Sequence, residues 1–193
     1  MTELQGRGYL IAYAANYLRD NVSKDEWKRI NGELSPELQG LLSSGDVKHA
    51  GFYRISLLNE LTNQIVTTIG RNDDAKAREA LFTCGKYIAR EATNTFLRLL
   101  LKMLTPSLLV KKLPEVFRRD FTMGRVTSEL NGRTLTVHYY DVPGFQHCGA
   151  TSPGFVATAF ETMGKTVENL TVHDWSLAQP NVDGTWFELT WKD

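Results

Sequence analysis

Between Ala75 and Leu104, the apolar side chains Leu81, Cys84, Ile88, Ala92, Phe96, Leu99 and Met103 return at three- and four-residue steps. That spacing stacks side chains on one face of an α-helix. Leu97, Leu100, Leu101 and Leu104 add a second apolar face in the last turns. A helix apolar on two sides is buried on two sides. The pattern therefore predicts one long helix whose C-terminal half lies in the domain core or in a dimer interface. Gly85 marks a point where another backbone comes close, and Pro106 ends the helix.

Such a rod needs a second layer to cover it. After Pro114 the period changes. Thr122–Leu130 and Arg133–Asp141 flank Asn131-Gly132, a pair that supports positive φ at both centres of a hairpin turn. Leu135, Val137 and Tyr139 alternate with Thr134, Thr136 and His138, so one strand face is buried. Ser152-Pro153 opens a helix carrying Val156, Ala159, Phe160 and Met163, which Gly164 closes. Two more strands follow, roughly Thr166–Trp175 and Thr185–Trp191.

The region before the rod reads as helices. Tyr9–Leu18 is one. Ser23 caps a second that stops at Asn31-Gly32, and Ser35-Pro36 starts a third. A fourth runs from about Arg54 to Ile69 and is closed by Gly70. The expectation is an α+β fold, a helical layer packed on a four-stranded twisted antiparallel sheet. It forms a single domain over 1–193, mainly helical over 1–120, with the sheet and one helix over 121–193.

A length of 193 residues suits one domain, and 42% apolar residues suffice for a core. Arg98, Lys102 and Pro106 break the longest apolar stretch, so no transmembrane segment is expected. No basic and apolar leader opens the chain, and there are only two cysteines, Cys84 and Cys148; both point to a cytoplasmic protein. The zero net charge hides an asymmetry. Residues 1–133 carry 20 basic and 15 acidic groups, and residues 134–193 carry 2 and 7. Neither part has the cationic density of a nucleic-acid footprint.

Reactive chemistry is poorly supplied. The sequence has no C-x-x-C, H-x-x-x-H, G-x-S-x-G or phosphate loop. His147 and Cys148 are adjacent, and neighbours on an extended chain point apart. No catalytic residue, metal or cofactor is assigned. An enzyme using Cys148, or a metal site using Cys148 and His173, is the third-ranked reading.

Aromatic residues concentrate late in the chain. Trp175, Trp186 and Trp191 fall on the last two strands, with Phe187 beside them. Phe187, Leu189 and Trp191 share one face, and Trp186 takes the other. Together with the rod, this set nominates Phe96, Leu100, Tyr139, Phe155, Trp175 and Trp186 as the lining of an apolar pocket. A partner surface is nominated from two features. One is the stripe Tyr9, Tyr13 and Tyr17. The other is Lys111, Lys112, Arg118 and Arg119, which bracket Leu113, Val116 and Phe117 on a solvated connector.

Several motifs carry a family resemblance. They are Ala80-Leu81-Phe82-Thr83-Cys84-Gly85-Lys86, then Leu108–Arg118 with its Leu-Pro-x-x-Phe-Arg, then the hairpin, then Gly154-Phe155-Val156 through Gly164-Lys165, and the closing Trp186 and Trp191. In this order the chain resembles a bacterial family of about this length and of unknown function, best known as a set of myxobacterial paralogues. More distantly it is similar to the 4-vinyl reductase domain and the small subunits of the transport protein particle (TRAPP). Through these it is similar to the heme-NO-binding-like proteins.

The resemblance implies a helical layer on an antiparallel sheet, frequent dimers, and a hydrophobic pocket between the layers. It implies ligand-sensing or assembly roles. The zinc cysteines of the 4-vinyl reductase group are missing: His173 stands where the first would fall, and no cysteine follows Cys148. The Tyr-x-Ser-x-Arg motif of the heme-binding members is absent, and no proximal histidine is evident. The expectation is a non-catalytic cytoplasmic regulatory or adapter domain, a homodimer with a small hydrophobic ligand. The alternative is a protein-interaction subunit that binds a protein partner and no ligand.

Overall fold

Near the N-terminus, β1 (Gln5–Arg7) pairs antiparallel with β2 (Phe52–Arg54), Gly6 opposite Tyr53. The computed structural model describes residues 3–93, 95–180 and 183–192, with 95–97 described by backbone alone. This short ribbon was not predicted; three residues are too few to show a period.

Between its strands lie α1 (Gly8–Asp20), α2 (Lys24–Glu33) and α3 (Pro36–Ser44). The caps are as the sequence predicts. Ser23 Oγ accepts from the Glu26 amide at 3.2 Å, and Ser35 Oγ accepts from Leu38 at 3.4 Å, with Pro36 in the first turn. However, α2 does not stop at Asn31-Gly32. Buried Ile30 and Leu34 hold its last turn on the core, which outweighs the poor propensity of the glycine. Next, α4 (Ile55–Gln64) continues as a π-helical turn, Ile65–Ile69. Gly70 stays right-handed, and Arg71 and Asn72 take the positive φ of the turn instead.

The predicted rod is two helices, α5 (Asp74–Ala92) and α6 (Thr95–Met103). Thr93 is extended, and its hydroxyl donates to the Ala89 carbonyl at 2.5 Å. In the sequence, Thr93, Asn94 and Thr95 are three successive residues of types that favour turns over helix interiors, a break signal that the apolar periodicity masked. The connector predicted around Lys111–Arg119 is a third helix, α7 (Pro106–Asp120), capped by Thr105 with Pro106 in its first turn. Pro106 therefore begins a helix as well as following one.

Pro114 lies inside α7 and brings no N–H to the Val110 carbonyl four residues back. A sheet residue compensates, since Ser128 Oγ donates to Val110 O at 2.7 Å.

The main sheet is β3 (Arg125–Asn131), β4 (Thr134–Tyr140), β5 (Thr166–His173) and β6 (Trp186–Lys192), in the order β3-β4-β6-β5 and antiparallel throughout. Asn131 pairs with Thr134, so the hairpin loop is Gly132-Arg133, one residue beyond the predicted centre. Gly132 takes φ +59° there. Between β4 and β5, α8 (Cys148–Thr162) begins four residues before the predicted Ser152 start.

Leu135, Val137, Tyr139, Phe187, Leu189 and Trp191 are buried on the inner face, as the alternation predicts. The helices cover this face, with α5 lying directly along α8. A Cβ on Gly85 would sit 2.0 Å from the Thr151 carbonyl oxygen. One on Gly154 would sit 2.0 Å from that of Phe82, so each helix needs its glycine to approach the other.

Candidate functional site

The two layers do not close completely. A cavity of about 100 Å³ remains where α7 and α8 cross the inner face of the hairpin. Val126, Val137 and Tyr139 of the sheet form its floor. Leu113, Val116 and Phe117 of α7 form one wall, and Phe155 and Val156 of α8 form the other. Ile88 of α5, Leu10 of α1, Leu58 of α4 and Phe145 close it. Two larger clefts, about 450 and 400 Å³, have mixed polar and apolar linings and lie elsewhere, one beside Arg90 and Glu161 and the other beside Trp27 and Leu42.

One edge of the cavity is polar. Asp120, the last residue of α7, is 4% exposed. It accepts the Tyr9 hydroxyl at 2.9 Å and two Arg119 guanidinium N–H groups at 2.9 Å each. These donors satisfy a carboxylate that would otherwise be expensive to bury. Burial, and then the adjacent Asp120 charge, pushes the Tyr9 phenol far up. Burial also raises Tyr139, which the Ser152 hydroxyl offsets in part. Both phenols are therefore neutral at physiological pH.

Thr151 Oγ1, on the same wall, has no hydrogen-bond partner among the described residues. Cys148 Sγ lies 3.3 Å from Ser152 Oγ, and burial pushes this thiol up to about 12. Burial raises Cys84 as well. Neither thiol supplies thiolate near neutral pH.

The predicted lining residues separate. Tyr139 and Phe155 stand on the cavity wall. Trp175 is buried elsewhere, its ring edge-on to His147 at 6.0 Å and under the Arg78 guanidinium at 5.5 Å. Trp186 is on the outer sheet face, stacked on His173 at 3.7 Å and 5.2 Å from His138. Leu100 is 42% exposed on α6, because the break at Thr93 redirects that helix and it is Leu101 that packs against the core. The side chain of Phe96 lies outside the described residues.

The tyrosine stripe turns inward instead of forming one surface. Tyr9 reaches the cavity, Tyr17 packs on Tyr87 at 5.7 Å, and half-buried Tyr13 meets His49 at 5.0 Å. The reason is that α1 lies along α5, which covers most of the stripe. Lys111, Lys112, Arg118 and Arg119 are exposed on α7, with Arg119 clamping Asp120. Among the described residues, no three His, Cys, Asp or Glu side chains cluster to hold a metal.

Reading the sequence missed the Tyr9–Asp120–Arg119 edge. The pair is 111 residues apart, and nothing in the local sequence around Asp120 marks it as buried.

No protein-family model and no curated protein matches the sequence. Solved structures do. The fold is similar to that of the SO2144 H-NOX domain from Shewanella oneidensis, solved by NMR in its Fe(II)CO ligation state. The TM-score is 0.65 at 10% identity, over 97% of this chain and 99% of that one. It is also similar to a doubly substituted Tt H-NOX, with a TM-score of 0.61 at 12% identity over 97% and 95% of the two chains. At such identities the likeness is one of fold. It agrees with the resemblance to heme-NO-binding-like proteins drawn from the motifs.

Proposed function

We propose that this chain is a non-catalytic regulatory domain of the cytoplasm that holds a small hydrophobic ligand between its helices and its sheet. The observation that carries this reading is the apolar cavity under α7, with its polar edge at Tyr9 and Asp120. Ligand sites combine an apolar lining with a few fixed polar groups. The low-reactivity thiols and neutral phenols support binding over catalysis. The motif resemblance to the myxobacterial-type, 4-vinyl reductase and TRAPP families supports a homodimer with a protein partner.

Heme is the ligand that the neighbouring H-NOX structures imply, and the residues here do not fit it. None of the four histidines lines the cavity. His138 and His173 are on the outer sheet face, His49 is exposed beside Tyr13, and His147 is bonded to Asn63. The two tyrosines that do line it are neutral phenols, with Tyr9 committed to Asp120. Neither cysteine lines it. A cavity of about 100 Å³ is also below the roughly 300–1,000 Å³ of sites for drug-sized ligands.

Its size instead matches the engineered apolar cavities of about 150 Å³ that stay dry and take benzene or xenon. The ligand class is therefore a compact apolar molecule of a few heavy atoms, carrying at most one hydroxyl or carbonyl for Thr151. Benzene serves as the probe. It should raise the unfolding temperature in a saturable way, and Val137→Phe, which fills the floor, should abolish that rise while circular dichroism stays unchanged. A benzene response that survives Val137→Phe, or no response in the parent protein, overturns the pocket reading.

A further inference from the structure

An ordinary surface helix turns its apolar face inward, and α6 does the reverse. Leu101 packs against the core. At 3.6 residues per turn, Leu99 and Met103 then fall on the opposite side. They are 57% and 81% exposed, and Leu108 at the start of α7 is 43% exposed.

Cations flank this ridge. Arg98 and Lys102 lie beside Leu99 and Met103 on α6, and Lys111 and Lys112 continue on the exposed side of α7. From residue 92 to residue 114 the chain holds these four basic residues and no acidic one. Lys102 and Lys111 form no ion pair among the described residues, while Lys112 meets Glu115 at 2.7 Å. Exposed leucine and methionine cost solubility when they have no partner. A partner for this ridge must accept apolar side chains and carry negative charge around them.

From this we infer that α6 and the start of α7 dock on a membrane surface containing anionic lipid, with Leu99, Met103 and Leu108 entering the acyl boundary and Arg98, Lys102, Lys111 and Lys112 at the headgroups. The charge pattern selects this occupant. A bilayer with acidic headgroups presents negative charge and hydrocarbon in one plane, which matches an apolar ridge bordered by cations. Among the described residues no helix is long and apolar enough to cross a membrane, so the contact is peripheral.

The test is flotation of the full chain with vesicles of phosphatidylcholine alone and with vesicles that are about one-third phosphatidylglycerol. The protein should float with the second kind only, and high salt should release it. Lys102→Gln and Lys111→Gln should each weaken partitioning roughly fivefold. Leu99→Asp with Met103→Asp should abolish it without moving the unfolding temperature, since both sites are exposed. Failure to float with either vesicle, equal flotation with both, or flotation that survives the Leu99 and Met103 changes overturns the inference. So does vesicle-independent self-association lost in the Leu99→Asp, Met103→Asp variant, which would assign the ridge to a second copy of the chain.

Discussion

His147 shows how one side chain can tie stability to pH. It caps α8 in a left-handed conformation, φ 35°, and is buried. Its Nε2–H donates to Asn63 Oδ1 at 2.8 Å, which leaves the proton off Nδ1. Nδ1 has no partner among the described residues, so a second proton there would be charged and unsolvated. Burial accordingly lowers the pKa to about 4 from 6.5. The unfolded chain takes up this proton first. The stabilisation is complete above pH 6.5 and is lost as pH falls from there to about 4. The loss amounts to at most about 3 kcal/mol. His147→Asn tolerates the left-handed backbone and cannot titrate. Urea midpoints at intervals across this range should fall less steeply in the variant than in the parent; parallel curves would show that another group controls the acid limb.

Among the elements, the helices are joined to their neighbours by small compensations. The missing N–H of Pro114 leaves the Val110 carbonyl to Ser128, across the gap from α7 to β3. Ser128→Ala should therefore cost about 1–3 kcal/mol. In a Pro114→Ala background, where the helix regains that N–H, the cost of Ser128→Ala should nearly vanish. A double-mutant cycle on unfolding free energies measures the coupling, and additivity would refute it. The α5–α8 contact is tighter. Gly85→Ala places its Cβ 2.0 Å from a backbone oxygen, and backbone cannot rotate away as a side chain can. The expected loss is about 3 kcal/mol, or roughly 6–12 °C in Tm for a chain of this size. Calorimetry on this variant, and on Gly154→Ala, checks it.

On the scale of the molecule, the charge asymmetry acts between the two parts of the chain, where α5 meets α8. The first 133 residues have five more cations than anions, and the last 60 have the reverse. Both ion pairs of Glu161 cross that boundary, to Lys86 at 2.5 Å and to Arg90 at 3.8 Å. Raising NaCl from about 0.05 to about 0.5 M shortens the Debye length from roughly 14 to roughly 4 Å. The unfolding temperature should fall by a few degrees over that range, and by less in Lys86→Met. A salt-independent Tm would mean that the two charged regions do not attract each other in the folded state.

The extent to which all this was legible in the chain follows from the range of each interaction. Capping by Ser23 and Ser35, the hairpin near Gly132 and the alternating inner faces of β4 and β6 depend on residues a few positions apart. Local spacing and turn chemistry therefore determine them. The break at Thr93 was also local, but a strong apolar rhythm concealed it.

Other features were not local. The cavity draws its walls from α1, α4, α5, α7, α8 and the sheet, and its polar edge joins Tyr9 to Asp120. Whether Leu100 is core or surface, and whether Trp186 faces helices or solvent, depends on how separate elements come to rest on each other. Apolar side chains look alike in a sequence whether they fill a core, border a hollow or meet an outside partner. Only packing distinguishes these cases, because burial is a property of the neighbours and not of the residue.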